Sequence, residues 1–249
     1  MSLVVVTGAG AGLGRALACE FTARGHRVAG IGRGEAGLEG TAALAGPGFH
    51  PVLADVADAQ AVRAAFARID ALGEIAVLVN NAAVHPRRDI LAESADSFME
   101  VVAINLGGTL ACSLQALARF AVRGEGRIVN VATFADLAPA PASAAYSVSK
   151  GAARILTRAL VADLGDRFPR IEVLDWMPGM LATRMGIEDG LDPQVAARWG
   201  AGLALLRWPG LNGTTWEMDR EILPPRSLRR RLFERLAGRR RPARQLPPG

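Results

Sequence analysis

Residues 7–14 read TGAGAGLG, and this glycine-rich run constrains the fold more than any other stretch of the chain. It follows the apolar run LVVVT, which is typical of a buried strand, and it precedes a stretch with helical apolar spacing. In a strand-turn-helix unit, Gly8 permits the tight turn, Gly12 lets the backbone approach a pyrophosphate, and Gly14 lets the helix pack on the sheet. We therefore predict a turn that presents a helix N-terminus to phosphates. An ordinary structural turn is the alternative.

Short apolar runs alternate with alanine- and leucine-rich stretches along most of the chain. Strands that are apolar on both faces are typical of a parallel sheet covered by helices on both sides. We therefore predict an α/β fold, a doubly wound parallel sheet with right-handed crossovers in a single domain. The predicted strands are 3–7, 27–31, 50–54, 75–79, 127–132 and 171–176, with a possible last strand at 214–219. The predicted helices are 13–24, 58–72, 95–122 and 145–167, with a loop and one helix in 184–206.

The formal charge of +5 belongs to the C-terminal segment. From Arg226 onward the chain has nine arginines and one glutamate, a charge of +8, which leaves −3 for the residues before it. We expect one domain at 1–225 and a basic helix and tail at 226–249. The apolar residues of this tail recur at helical spacing: Leu228, Leu232, Phe233 and Leu236. We favour a helix docked by this face with its arginines in solvent. Binding of nucleic acid or an anionic membrane is the less favoured alternative.

The cysteine content and the N-terminus bear on location. Cys19 and Cys112 lie in helical patterns without a Cys or His at metal-ligand spacing, so we expect free thiols and no metal. A strand begins almost at once, so we expect no signal peptide, and we expect no apolar run to reach the length of a membrane span. We expect a cytoplasmic protein.

The stretch AYSVSK, residues 145–150, holds the one tyrosine and the one lysine of the chain. Residues i and i+4 share a helix face, so Tyr146 and Lys150 can point into one cleft. An ammonium about 5 Å from a phenol favours the phenolate by roughly 3 kcal/mol at an effective dielectric constant near 20. We therefore expect Lys150 to lower the pKa of Tyr146 and make it a general acid or base. An exposed helix pair is the alternative.

These motifs together resemble the short-chain dehydrogenase/reductase family, in its short single-domain branch with Tyr-x-x-x-Lys. The resemblance covers residues 3 to about 185 and includes the turn at 7–14, NNAA at 80–83 and the Tyr146/Lys150 pair. The sequence PGMLAT at 178–183 matches the family's turn over the nicotinamide. Three features depart from the family pattern: NNAA replaces Asn-Asn-Ala-Gly, Thr133 replaces serine, and WEMDRE stands where Asp-Gly-Gly is usual.

The resemblance implies an oxidoreductase that uses NAD(P) to interconvert a carbonyl and a secondary alcohol by hydride transfer. It implies that Tyr146 exchanges the proton, that Thr133, at the family's serine position, holds the carbonyl oxygen, and that Lys150 binds the cofactor ribose. Asn105 would hold a water that connects Lys150 to solvent. For Thr133 a plain strand-end threonine is the alternative. The residues expected to bind the cofactor are Gly8, Gly10, Ala11, Gly12, Leu13, Gly14, Arg33, Asp55, Val56, Asn81, Ala82, Ala83, Tyr146, Lys150, Pro178, Gly179, Leu181 and Thr183.

The end of the second predicted strand indicates which nucleotide is used. Gly32 stands where a carboxylate would favour NAD(H) by binding the adenosine ribose diol. A small residue followed by Arg33 leaves room and positive charge for a 2′-phosphate. We therefore favour NADP(H). NAD(H) is possible, because Ala11 lacks the second basic group that many NADP-preferring relatives carry.

The partners implied by the resemblance are a small ketone or alcohol and further copies of the chain. A homodimer or homotetramer would form through helices 95–122 and 145–167. The substrate wall is expected among His85, Phe134, Asp136, Met180, Met185 and the segment 184–206 with Trp199. Packing is an equal alternative for each of them. For His85 we favour a plain loop residue over a catalytic role, and for Arg87 and Arg88 a solvated face over contact with an anionic substrate.

Two other classes of function compete with this interpretation. A cofactor-sensing or polyanion-binding module would keep the fold and use the arginine-rich tail, but it has no need of Tyr146, Lys150 and Asn105 together. A sugar epimerase or dehydratase of the longer related branch would need a sizeable C-terminal substrate domain. We expect no such domain after residue 225, and the glycine spacing fits the short branch.

Overall fold

The protein, described here by a computed structural model, is defined over residues 2–223 and 242–247. Within these residues eight strands form one sheet in the order β3-β2-β1-β4-β5-β6-β7-β8. Strands β1 to β7 are parallel and β8 is antiparallel to β7. The strands are β1 Leu3–Thr7, β2 Arg27–Gly32, β3 Phe49–Leu53, β4 Ile75–Asn80, β5 Glu125–Val131, β6 Arg170–Met177, β7 Thr215–Glu217 and β8 Arg220–Ile222. The helices are α1 Gly12–Ala23, α2 Glu35–Ala45, α3 Ala59–Ile69, α4 Ala95–Val102, α5 Gly108–Arg123, α6 Ala144–Leu164 and α7 Pro193–Leu205.

Helices cover both faces of the sheet, which confirms the doubly wound fold. Successive residues of β1 alternate between two cores: Val4 and Val6 pack towards α1, α2 and α7, while Leu3 and Val5 pack towards α3, α5 and α6. Both sides of β1 are therefore fully buried, as its apolar sequence predicts.

The six predicted strands are confirmed to within about two residues at each end. The possible last strand at 214–219 is confirmed as the shorter β7, and a further short strand that was not predicted, β8, follows it. Met218, with a φ of 49°, lies in the left-handed region between them. Helix α2 was not predicted, because its sequence EAGLEGTAALA contains two glycines that weaken the helical pattern.

The predicted helix at 95–122 is one continuous helical stretch, Ala95–Arg123, with a wider π turn at Ala103–Gly107. The expectation that no segment has the length of a membrane span is wrong, because this stretch is long and apolar enough by length and composition. One face of this helical stretch is apolar because it packs in the core. Cys112, Ala116 and Phe120 are fully buried and belong to the core under the sheet.

The end of the chain lies against the edge of the sheet. The predicted basic helix falls within residues 224–241, which are outside the described residues, whereas residues 242–247 form what we term the C-terminal strap. The Glu221 amide donates to the Arg244 carbonyl (2.9 Å) and the Leu246 amide donates to the Asp219 carbonyl (2.8 Å). The Arg244 guanidinium pairs with the Glu221 carboxylate at 2.7 Å. Leu246 is 5% exposed and joins the core beside α1 and α7.

Candidate active site

The glycine-rich turn connects β1 to α1 at the carboxyl edge of the sheet, where doubly wound folds bind ligands. Gly8 has a φ of 68°, and a side chain on Gly14 would meet the Gly8 carbonyl oxygen at 2.1 Å, so both positions need glycine. Ala11 precedes α1 and gives it no side-chain cap. The first amide groups of α1 are therefore available to phosphate oxygens. This arrangement fits the pyrophosphate of a dinucleotide.

Two further segments of the predicted cofactor set pack on this turn. The Thr7 hydroxyl accepts hydrogen bonds from the amides of Asn81 (3.0 Å) and Ala82 (2.9 Å), and Asn81 Nδ2 donates to the Thr7 carbonyl (2.9 Å). On the other side, a side chain on Gly12 would lie 3.4 Å from Thr183 Cγ2. The turn at 7–14, the NNAA loop and the loop after β6 thus converge.

Arg33 and Asp55 lie together after β2 and β3. Arg33 Nη1 is 3.6 Å from Asp55 Oδ2, and the two side chains are 58% and 42% exposed. A side chain on Gly32 would meet Leu38 Cδ2 at 3.1 Å, so this position is restricted to a small residue. The geometry leaves the Arg33 guanidinium accessible at the place where an adenosine ribose would bind.

Tyr146 lies in the first turn of α6, and Thr133 lies in the loop that follows β5. Burial raises the pKa of the Tyr146 phenol, and a hydrogen bond with Thr133 opposes this increase only in part. The expectation of a lowered pKa is therefore wrong for the protein on its own. Lys150 is not among the groups that lower the Tyr146 pKa, and its Nζ donates to the Val131 carbonyl at 2.8 Å.

Lys150 is buried on α6 with only 5% of its surface exposed. Burial lowers the pKa of its ammonium group to about 8, and the carboxylate of Asp175 opposes this decrease. Desolvation disfavours the charged form of a lysine, whereas a nearby anion favours it. At neutral pH Lys150 remains mainly an ammonium.

Asn105 lies in the π turn between α4 and α5 and connects two segments. Its Oδ1 accepts from the Val84 amide (2.8 Å), and its Nδ2 donates to the Val84 carbonyl (3.0 Å) and to Ser149 Oγ (3.0 Å). Asn105 thus ties the NNAA loop to α6. Its expected role in holding a water beside Lys150 stays a prediction.

His85 contacts Tyr146 directly, which the sequence did not lead us to expect. Its ring stacks on the phenol with centroids 4.2 Å apart and planes inclined by 26°. His85 Nε2 lies 2.9 Å from Ser143 Oγ, which donates to the Pro141 carbonyl, so we assign the proton to Nε2. Nδ1 then has no partner among the described residues and can accept a hydrogen bond. Burial and the charge of Arg87 lower the pKa of this imidazole, so it is neutral at pH 7. The one sequence signal is the position of His85 directly after NNAA and Val84.

Two residues of the expected substrate wall have the packing role that the sequence left open. Asp136 is bound to Arg154 at 2.6 Å, with both side chains 12% exposed, so it anchors the loop after β5 to α6. Trp199 lines a cavity of about 300 Å³ with Arg24 and Leu246, at the end of α1 remote from the glycine-rich turn. Phe134, Met180 and Met185 remain partly exposed and available to a substrate.

Comparisons with known proteins agree with this site. Residues 2–193 match the family model described as short chain dehydrogenase. The chain is 34% identical over 198 residues to galactitol 2-dehydrogenase (L-tagatose-forming) of Cereibacter sphaeroides, which covers 78% of this chain and 77% of that protein. It is 35% identical over 191 residues to 2-(R)-hydroxypropyl-CoM dehydrogenase of Xanthobacter autotrophicus, covering 74% and 76%.

A solved structure extends the likeness to three dimensions. The crystal structure of a short chain dehydrogenase from Bacillus anthracis matches with a TM-score of 0.79 and 25% identity, over 88% of this chain and 94% of that one. The eight-stranded, mostly parallel sheet covered by helices accords with this match. The chain belongs to the short-chain dehydrogenase/reductase family of oxidoreductases.

Proposed function

We propose that the protein is an NADP(H)-dependent oxidoreductase that interconverts a carbonyl and a secondary alcohol, with Tyr146 as the general acid and base. The observation that carries this proposal is the convergence of the glycine-rich turn, the NNAA loop and the start of α6 at one edge of the sheet. A dinucleotide bound along that edge would bring its reactive ring to Tyr146. The bound nicotinamide would supply or accept the hydride.

The residues of this chain would bind the cofactor along its length. The first amides of α1 would face the pyrophosphate, and Thr183 lies beside Gly12 at that position. Arg33 would bind the 2′-phosphate through charge-assisted hydrogen bonds, and its accessible guanidinium supports NADP(H) over NAD(H). Lys150 would turn from the Val131 carbonyl towards the ribose.

The proton chemistry follows from the environment of Tyr146. A phenol with a raised pKa is protonated at neutral pH, and this is the form that donates a proton to a carbonyl oxygen. The Thr133 hydroxyl would hold that oxygen. The protein on its own is thus prepared for reduction, whereas oxidation of an alcohol requires the phenolate and further positive charge beside the ring.

His85 supports a substrate with a hydroxyl group next to the reacting carbon. The imidazole lies on the phenol, and its Nδ1 is an acceptor without a partner among the described residues. A neutral imidazole in this position would accept a hydrogen bond from such a hydroxyl. We therefore propose hydroxylated ketones and polyols as the first compounds to try.

A homo-oligomer and a cytoplasmic location complete the proposal. Apolar side chains are exposed on α4, α5 and α6, where the family resemblance implies subunit contacts: Met99, Leu110, Leu114, Val148 and Ile155. Exposed apolar residues grouped on neighbouring helices are typical of an interface.

A carbonyl screen tests the proposed function. Purified protein and NADPH are mixed with a panel of ketones, and NADPH absorbance is followed. The proposal expects oxidation of NADPH with at least one hydroxylated ketone. Absence of turnover across the panel, in a protein that binds NADPH, would favour a cofactor-sensing module instead.

A further inference from the structure

A row of buried polar side chains crosses the sheet beneath the candidate active site. Asn80 Nδ2 donates to Ser113 Oγ (2.9 Å) and to Asn130 Oδ1 (2.8 Å). Asn130 Nδ2 donates to Thr157 Oγ1 (2.9 Å), and the Thr157 hydroxyl donates to Asp175 Oδ1 (2.6 Å). All five residues are at most 4% exposed.

The donors of this row point in one direction, from β4 to β6. Each group between Asn80 and Asp175 accepts from the previous residue and donates to the next. Asp175 is the terminal acceptor, and an ionised carboxylate suits this position because it accepts without donating. Hydrogen bonds in a chain also polarise one another, so the row favours the charged form of Asp175.

The same strands and helix bring Asp175 to Lys150. Asn130 pairs with Asp175 in the register of β5 and β6, and the next residue of β5, Val131, accepts from Lys150 Nζ. Thr157 follows Lys150 by two turns on the buried face of α6. The carboxylate therefore lies on the sheet side of the ammonium, and each group acts electrostatically on the other.

Three cations act on the Asp175 carboxylate. Burial raises the pKa of Asp175 to about 6, while the Thr157 hydroxyl and the cations Arg154, Arg158 and Lys150 lower it, so the group is mainly ionised at neutral pH. Arg154 is already bound to Asp136. Among the described residues, Asp175 is the carboxylate that acts on Lys150.

We propose that Asp175 is a positioning residue of this enzyme: a buried anion that keeps Lys150 in its ammonium form and holds it beside the catalytic tyrosine. The inference rests on the proposed function, in which Lys150 acts as a cation. The site therefore uses a carboxylate from β6 in addition to the residues that the family motif provides.

The single lysine of the chain makes a direct test possible. Protein labelled with ¹⁵N at lysine Nζ gives one resonance, which reports the protonation of Lys150 as pH is varied. Asp175→Asn keeps the size of the side chain and an acceptor for Thr157 but removes the charge. We expect its Lys150 titration midpoint to fall by about one pH unit, a modest effect for loss of an opposite charge.

A matched variant and the wild-type protein supply controls. Glu172→Gln removes another half-buried carboxylate from β6, one that pairs with Arg127 rather than with Lys150, and should leave the midpoint unchanged. In the wild type, the same resonance should show a smaller inflection near pH 6, where Asp175 titrates, so the test does not depend on folding of the variant.

The outcomes separate this inference from the proposed function. The inference is supported if the Lys150 midpoint shifts in Asp175→Asn and the alkaline limb of the kcat/KM profile moves to lower pH. A midpoint that coincides with that of Glu172→Gln, or a wild-type titration without the inflection near pH 6, overturns it in an enzyme that is otherwise active. An NADPH-binding protein that shows the coupling but reduces no carbonyl compound overturns the proposed function and with it the role of Asp175 as a positioning residue for catalysis.

Discussion

The imidazole of His85 lies against the phenol of Tyr146, with ring centroids 4.2 Å apart and planes inclined by 26°. The loop that carries His85 is held by Asn105 through both backbone groups of Val84. Asn105 therefore holds the loop whose His85 ring packs on Tyr146. The stacking limits rotation of the phenol and, in the proposed function, places the imidazole beside the residue that exchanges the proton.

Substitutions of His85 separate these two roles. His85→Phe retains an aromatic ring for stacking, whereas His85→Ala removes both the ring and the acceptor. With a hydroxylated substrate, we expect both variants to lose about tenfold in kcat/KM, as befits one lost hydrogen bond. Only His85→Ala should also lower kcat for a substrate without the hydroxyl. If both variants had the kinetics of the wild type, His85 would have no role in substrate binding or in orienting Tyr146.

The nucleotide preference depends on Arg33. Calorimetry should show that NADPH binds more tightly than NADH, and that Arg33→Ala weakens NADPH binding about tenfold with little change for NADH, because a charge-assisted hydrogen bond contributes roughly 1.5–3 kcal/mol. Arg24→Ala, an arginine at the far end of α1, is the matched control. Equal affinities for both nucleotides in the wild type would contradict the assignment.

The ionised carboxylate of Asp175 should lower the free energy of unfolding at neutral pH. Its pKa is raised to about 6 in the folded protein, above the ordinary 3.8, so the fold binds the proton more tightly than the unfolded chain. The stability from this proton is fully present below about pH 4 and is lost as pH rises through about 6. Urea unfolding should therefore find Asp175→Asn more stable than wild type by about 2 kcal/mol at pH 8, with a smaller gain at pH 5. A gain that is larger at pH 5 than at pH 8 would contradict this account.

The C-terminal strap should stabilise the fold without affecting the cofactor. Leu246 is 5% exposed in the core beside α1 and α7, so Leu246→Ala should lower the free energy of unfolding by about 2–3 kcal/mol. Gln245→Ala, which removes an exposed hydrogen bond to Asp219, should lower it by less than about 1 kcal/mol. Denaturant titrations give both values, and NADPH affinity should be unchanged. Equal effects of the two substitutions would show that the strap does not pack as described.

The sequence predicted those parts of the site that depend on local spacing. The glycine-rich turn follows from strand, turn and helix signals within 14 residues, and the Tyr146/Lys150 pair follows from helical periodicity. The contact between His85 and Tyr146 joins different segments of the chain, and so does the bond between Thr157 and Asp175. Neither of these contacts produces a local pattern.

The pKa values of the site could not be predicted from the sequence either. A phenol and an ammonium group at helical spacing suggested a lowered pKa for Tyr146. Burial instead raises this pKa, and burial is a property of the assembled fold. The packing of Asp136 and Trp199 could not be predicted from the sequence for a related reason. Position in the sequence after β5 or β6 did not reveal that one side chain pairs with Arg154 and the other packs beside Leu246.

The most direct test of the central claim is a comparison of Tyr146→Phe with the wild type, with NADPH oxidation and NADPH affinity measured on the same preparations. The substitution removes the proton donor and leaves the glycine-rich turn unchanged. We expect kcat to fall by at least about 100-fold, as for loss of a general acid, while the NADPH dissociation constant changes less than about threefold. A Tyr146→Phe enzyme that retains full kcat would contradict the account.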